Sequence, residues 1–120
     1  YLPAFSELVQ NAKVAGVMSA YNAVNTQPCC ANDLLMNDIL RRQWGFKGYV
    51  TSDWMNGLYD AQKGIEAGMN IEMPSNKVYS LSAIKKLLAD GKIKEQQIDD
   101  LILPIIRTKL LFASKKDERE

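Results

Sequence analysis

Residues 48–57, GYVTSDWMNG, decide how this chain reads. Tyr49, Val50 and Thr51 have strand character, Gly48 and Gly57 bound the run, and Asp53 and Trp54 stand where it stops. Two further runs share this form: 13–21, KVAGVMSAY, and 67–74, AGMNIEMP. Their inner residues are nearly continuously apolar, as parallel strands covered on both faces require. Each run ends in polar or aromatic residues, and in parallel α/β folds ligands bind at the carboxyl ends of strands.

Helical patterns lie between and around these runs. The stretch 32–45, NDLLMNDILRRQWG, predicts an α-helix with Asn32 as N-cap, an apolar face of Leu34, Leu35, Ile39 and Leu40, arginines in the last turn and Gly45 beyond it. Leu58, Ala61 and Ile65 mark a helix over 57–66 that Gly68 breaks, and Val78, Leu81, Ile84 and Leu88 mark another. A final amphipathic stretch, 95–112, contains Pro104, expected to kink or divide it. The opening residues predict a helix after Pro3.

Strands alternating with helices call for a parallel sheet with right-handed crossovers, either doubly wound or part of a (β/α)8 barrel. Spacing leaves both open. A full barrel needs about 250 residues, so a piece of this length would leave apolar helix faces uncovered. The chain starts with Tyr rather than Met, which suggests an excerpt of something longer.

Charge and composition remove several classes of function. The formal net charge is +1, with Lys and Arg interspersed among Asp and Glu, so no basic stripe for nucleic acid is expected. No run is apolar for the 18 or so residues of a membrane span, and no signal-peptide pattern opens the chain; the compartment stays open. Cys29 and Cys30 are adjacent and are read as two small, partly buried thiols rather than a loop-closing disulfide or a zinc pair. Histidine is absent, which removes His-based relays and the commonest metal ligand. No calcium-loop or zincin spacing occurs, and two glycine-containing stretches lack nucleotide-loop spacing. Carboxylates must carry any chemistry.

Asp53 is the first candidate. At a strand's carboxyl end it can be a nucleophile, a base, a metal ligand or the N-cap of the following helix. Trp54 beside it can stack on the C–H face of a sugar ring and donate its indole N–H. Tyr21, ending the first run, can reach the same pocket with its phenol, whereas Met18 points to the other side of a regular strand and reads as core. Glu72 is a candidate second carboxylate, because neighbouring strands lie about 4.8 Å apart and a retaining glycosidase separates its carboxyls by about 5 to 5.5 Å. A buried structural acid is the alternative.

Four strings then become specific: YLPAF, VMSAYNAVNTQPCCAN, LLMNDILRRQWGFKGYVTSDW and AGMNIEMP. In order and spacing they resemble the later part of the (β/α)8 barrel of glycoside hydrolase family 3, the β-glucosidase type. The likeness implies an α/β fold made of the last three or so β/α units, with a partial barrel over 1–112 and a charged tail over 113–120. It implies that Asp53 is the nucleophile of a retaining β-glycosidase, that Trp54 lines the sugar site, and that Met18 and Tyr21 contact the sugar or orient the nucleophile. The substrate would be a β-glucoside or β-linked oligosaccharide, and no metal or cofactor is needed.

The same resemblance places the remaining sugar-holding residues on earlier strands and the acid/base on a following α/β sandwich domain, which argues against Glu72 in that role. Those parts would be partners supplied by the parent chain, and this piece alone would be inactive or nearly so. NTQP stands where NGxP is more usual. A non-catalytic sugar-binding or assembly module is the competing expectation.

Overall fold

The computed structural model describes residues 1–113 and is α/β, with parallel strands and flanking helices. Helix α1 (Leu2–Gln10) carries its proline in the first turn, where a missing N–H costs nothing. Strand β1 (Gly16–Met18) follows, then a hairpin of β2 (Ala23–Val24) and β3 (Gln27–Pro28) and a 3-10 turn (Cys29–Ala31). A π-helix (Leu34–Gln43) leads to β4 (Tyr49–Thr51), and helices α2 (Ala61–Ala67), α3 (Leu81–Ala89) and α4 (Glu95–Ala113) complete the order.

β1 and β4 pair in parallel, Gly16 with Tyr49, Val17 with Val50 and Met18 with Thr51. The expected third strand over 67–74 is reduced to one parallel bridge, Thr51 to Ile71. Side chains have displaced the main-chain ladder on either side of it. The Val50 amide donates to Asn70 Oδ1 at 2.7 Å, and the Met73 amide donates to Ser52 Oγ at 2.9 Å. The three segments still run side by side, so their carboxyl ends share one edge.

The helix after Asn32 is wider than the α-helix its periodicity predicts: the Trp44 amide donates to Ile39, five residues back, at 2.9 Å. Asn32 nonetheless caps it, its Oδ1 accepting from the Leu35 amide at 3.1 Å. Buried Met36 and Leu40 face a core that also holds Val9, Phe46, Val50, Leu58 and Met69. A second cluster joins Ile65 of α2 to Ile93 and to Leu101 of α4. Gly68 ends α2 with φ +81°, and a Cβ there would stand 3.2 Å from Asn37 Oδ1.

Pro104 does not divide α4, which is one helix of 19 residues. The Leu101 carbonyl, in the turn that the proline disturbs, receives an outside donor, Asn70 Nδ2 at 2.7 Å. Large apolar side chains stand exposed on α1 (Leu2, Phe5 and Leu8) and on α4 (Ile102, Leu103, Ile106 and Leu110). Among the described residues no helix is long and apolar enough to cross a membrane. Of the tail expected over 113–120, Ala113 is the last residue of α4, and 114–120 lie outside the described residues.

Candidate active site

The site is built where β1 and β4 end. β4 is buried at Val50 and continues through fully buried Ser52, whose amide donates to the Ile71 carbonyl at 2.8 Å. The next residue, Asp53, is half-buried, so its carboxylate emerges at the rim of the sheet. Asp53 Oδ1 accepts from the Trp54 amide at 2.6 Å. Among the described residues Oδ2 has no hydrogen-bond partner, and the ion pairs, Arg42 with Asp38 and Lys86 with Asp90, belong to other elements. One oxygen is oriented by the backbone and the other is available.

The helix-cap reading of Asp53 fails on geometry. Helix α2 begins at Ala61 rather than 57, and its N-cap is Asp60, whose Oδ1 accepts from the Lys63 amide at 3.0 Å. Between the two acids the chain makes a tight turn: Met55 has φ +64° and the Asn56 amide donates to the Trp54 carbonyl at 2.7 Å. That turn holds the Trp54 side chain out of the core, 53% exposed. A core role for this indole is thereby excluded in the described chain.

Met18 ends β1 in register with Thr51 and, at 53% exposed, is not the core residue that strand alternation suggests. Tyr21, three residues on, is also exposed. Both stand at the edge from which Asp53 emerges, yet among the described residues no hydrogen bond links Tyr21 to the Asp53 carboxylate. Glu72 is turned elsewhere. Both its oxygens accept from the Val78 amide at 3.0 Å and Oε2 also takes the Tyr79 amide at 2.7 Å, so it braces the loop before α3.

Cys29 and Cys30 are both buried and unbonded to one another. Burial pushes both thiols up from their ordinary range; for Cys30 the Ser19 side chain and the Asp53 main chain act in the opposite direction. Cys30 Sγ also donates to the Ala20 carbonyl at 3.9 Å, one residue before Tyr21. Ser52 and Cys30 were not singled out as site residues by periodicity, although both lie inside the strings SDW and PCCAN that carried the resemblance.

A cavity of about 470 Å3 opens between the hairpin and α2, lined among others by Pro28, Cys30, Tyr59, Asp60 and Lys63, and Asp53 is not on its wall. The cavity and the half-buried Asp53 carboxylate are thus separate features. Among the described residues no cluster of His, Cys, Asp and Glu could hold a metal ion.

The glycosyl hydrolase family 3 N terminal domain model matches residues 1–108. The chain is 32% identical over 106 residues to probable beta-glucosidase J of Emericella nidulans, covering 88% of this chain and 12% of that protein. It is 37% identical over 99 residues to an exo-alpha-(1->6)-L-arabinopyranosidase of Bifidobacterium breve, covering 82% of this chain and 13% of that one. In structure it superposes on beta-glucosidase 3B of Thermotoga neapolitana in complex with alpha-D-glucose with a TM-score of 0.84 and 33% identity, over 90% of this chain and 16% of that chain. It spans about an eighth of the length of these curated relatives. A parallel strand edge carrying an acid and an indole, a family model matched over nearly the whole length and a close structural superposition agree that this chain belongs to glycosyl hydrolase family 3.

Proposed function

We propose that this chain supplies the nucleophile of a retaining β-glycosidase of the β-glucosidase type, Asp53. The observation that carries the reading is the disposition of that side chain: half-buried at a strand's carboxyl end, one oxygen held by the Trp54 amide, the other unpartnered, and the neighbouring helix capped by a different acid. On this reading the chain is the later part of a (β/α)8 barrel spanning 1–112, and the apolar faces of α1 and α4 pack against the rest of the parent protein.

The chemistry is a double displacement. Asp53 attacks C1 of the sugar as the bond from C1 to the leaving oxygen breaks, and an acid from elsewhere in the parent protein protonates that oxygen. Water, deprotonated by the same group, then attacks C1 of the glycosyl-aspartate and releases the sugar with retention. Trp54 forms one wall of the sugar site, and Tyr21 and Met18 border it on the β1 side. A β-glucoside or β-linked oligosaccharide is the proposed substrate, no cofactor takes part, and the isolated chain, lacking the acid, is inactive.

Replacing Asp53 by Ala in the intact enzyme should lower turnover by at least about a thousandfold. Sodium azide should restore it by attacking C1 in place of the carboxylate, giving a glycosyl azide of inverted configuration. A variant that keeps ordinary turnover would refute the assignment. The competing reading, a sugar-binding module without catalysis, predicts instead that Asp53→Asn retains saturable sugar binding in the isolated chain and that Trp54 governs it.

A further inference from the structure

Asp53 is fixed through its main chain. Ser52, wholly buried, accepts the Met73 amide proton on Oγ at 2.9 Å, and the same Oγ lies 3.0 Å from the Asp53 carbonyl oxygen and 3.5 Å from that of Met73. A hydroxyl has one proton to give, and the shorter contact takes it. The Met73 carbonyl is engaged separately by the Met55 amide at 3.3 Å. Neighbouring strand and turn are thus tied to one another across the Asp53 peptide. A Cβ at Gly57 would stand 2.7 Å from both the nitrogen and the oxygen of Asp53, so that main chain rests on a bare glycine Cα.

We infer that Ser52 is a positioning residue for the nucleophile: its hydroxyl ties the Asp53 carbonyl to the Met73 amide and so sets the direction in which the Asp53 carboxylate leaves the sheet, with Gly57 packed against the same main chain. The inference rests on Asp53 being the nucleophile. Ser52 is wholly buried and acts through the Asp53 main chain. It acts on the angle of approach to C1, to which covalent chemistry is far more sensitive than sugar binding is. Losing the hydroxyl leaves the Asp53 carbonyl and the Met73 amide without their common partner and lets the peptide rotate.

The test is covalent labelling of the intact enzyme by a 2-deoxy-2-fluoro-β-glucoside, with the label mapped and its rate followed against concentration. Ser52→Ala should lower the limiting labelling rate by about tenfold or more while the half-saturating concentration stays within about twofold. Ser52→Cys, close in shape but a weak donor and acceptor, should fall between Ser52→Ala and the parent. Val50→Ala, equally buried on the same strand, is the stability control and should keep the limiting rate within about twofold. Should Ser52→Ala fail to fold, Ser52→Cys against Val50→Ala carries the comparison. Label on Asp53 at an unchanged limiting rate in the Ser52 variants, or an equal fall in Val50→Ala, overturns the positioning role alone. Label on a residue other than Asp53 in the parent enzyme overturns the proposed function and this inference with it.

Discussion

Asn70 Oδ1 accepts the Val50 amide proton at 2.7 Å, so a side chain stands where a parallel strand would offer a carbonyl. The same oxygen takes Arg41 Nη2 at 2.9 Å, and Asn70 Nδ2 donates to the Leu101 carbonyl at 2.7 Å. One buried amide therefore joins β4, the π-helix and α4 directly behind the site. Arg41 adds bonds to the Gly68 and Gly48 carbonyls, and burial lowers its pKa from the usual guanidinium value.

Asn70→Ala should accordingly be among the most damaging single changes in the chain. It leaves the Val50 amide and the Leu101 carbonyl unpaired in the interior, each costing about 1 to 3 kcal/mol. A loss of about 2 to 4 kcal/mol is expected in urea unfolding of the intact protein. A change under about 0.5 kcal/mol, the range of an ordinary surface substitution, would contradict this role.

The hairpin loop holds a correctable strain. Asn25 and Thr26 have φ +51° and +68°, the pair of left-handed residues that a two-residue hairpin of this hand requires. Asn tolerates that region and a β-branched Thr does not. Thr26→Gly should stabilise the protein by up to about 1 kcal/mol, the relief of left-handed strain outweighing the added freedom of the unfolded chain. A lowered urea midpoint would show that Thr26 compensates through contacts of its own.

These two places also mark how far the sequence reaches. The Asn32 cap and the Gly68 stop follow from local chemistry and were legible. The third strand was not, because Asn70 and Ser52 replace its main-chain partners with side chains, and no periodicity signals that exchange. The π-helix is equally silent, since its apolar positions suit an α-helix too. Asp53 and Asp60 are both acids ahead of a helical pattern, so only geometry could assign the cap to one and leave the other at the rim. Met18 alternates inward on a regular strand, but β1 ends there and the residue is exposed.

Alkaline pH should weaken the fold. Cys29, Cys30 and Tyr79 all have raised pKa values, chiefly through burial, and the Tyr79 phenol donates to the Met69 carbonyl at 2.9 Å. For an acid whose folded pKa lies above its unfolded one, the native state holds the proton longer. That contribution is fully present below the unfolded pKa and declines as pH rises past it, from about 8.5 for the thiols and about 10 for the phenol. Stability should stay level from pH 7 to about 8 and fall from there to about pH 10.5, and native thiols should resist iodoacetamide until the protein is unfolded. A flat profile, or rapid alkylation in the native state, would contradict the burial that drives these shifts.

Trp54 should separate binding from stability. More than half exposed, it contributes little to the core, so Trp54→Ala should change stability by less than about 1 kcal/mol. Loss of an aromatic wall should raise the half-saturating sugar concentration of the intact enzyme by about tenfold, roughly 1.4 kcal/mol. Unchanged saturation with reduced stability would return the indole to a structural role.

The most direct measurement is where a trapped sugar sits. Treating the intact enzyme with a 2-deoxy-2-fluoro-β-glucoside, digesting it and sequencing the labelled peptide by mass spectrometry should place the fluorosugar as an ester on Asp53, within GYVTSDW. An ester on any other carboxylate, or complete inhibition without a covalent adduct, would contradict the account.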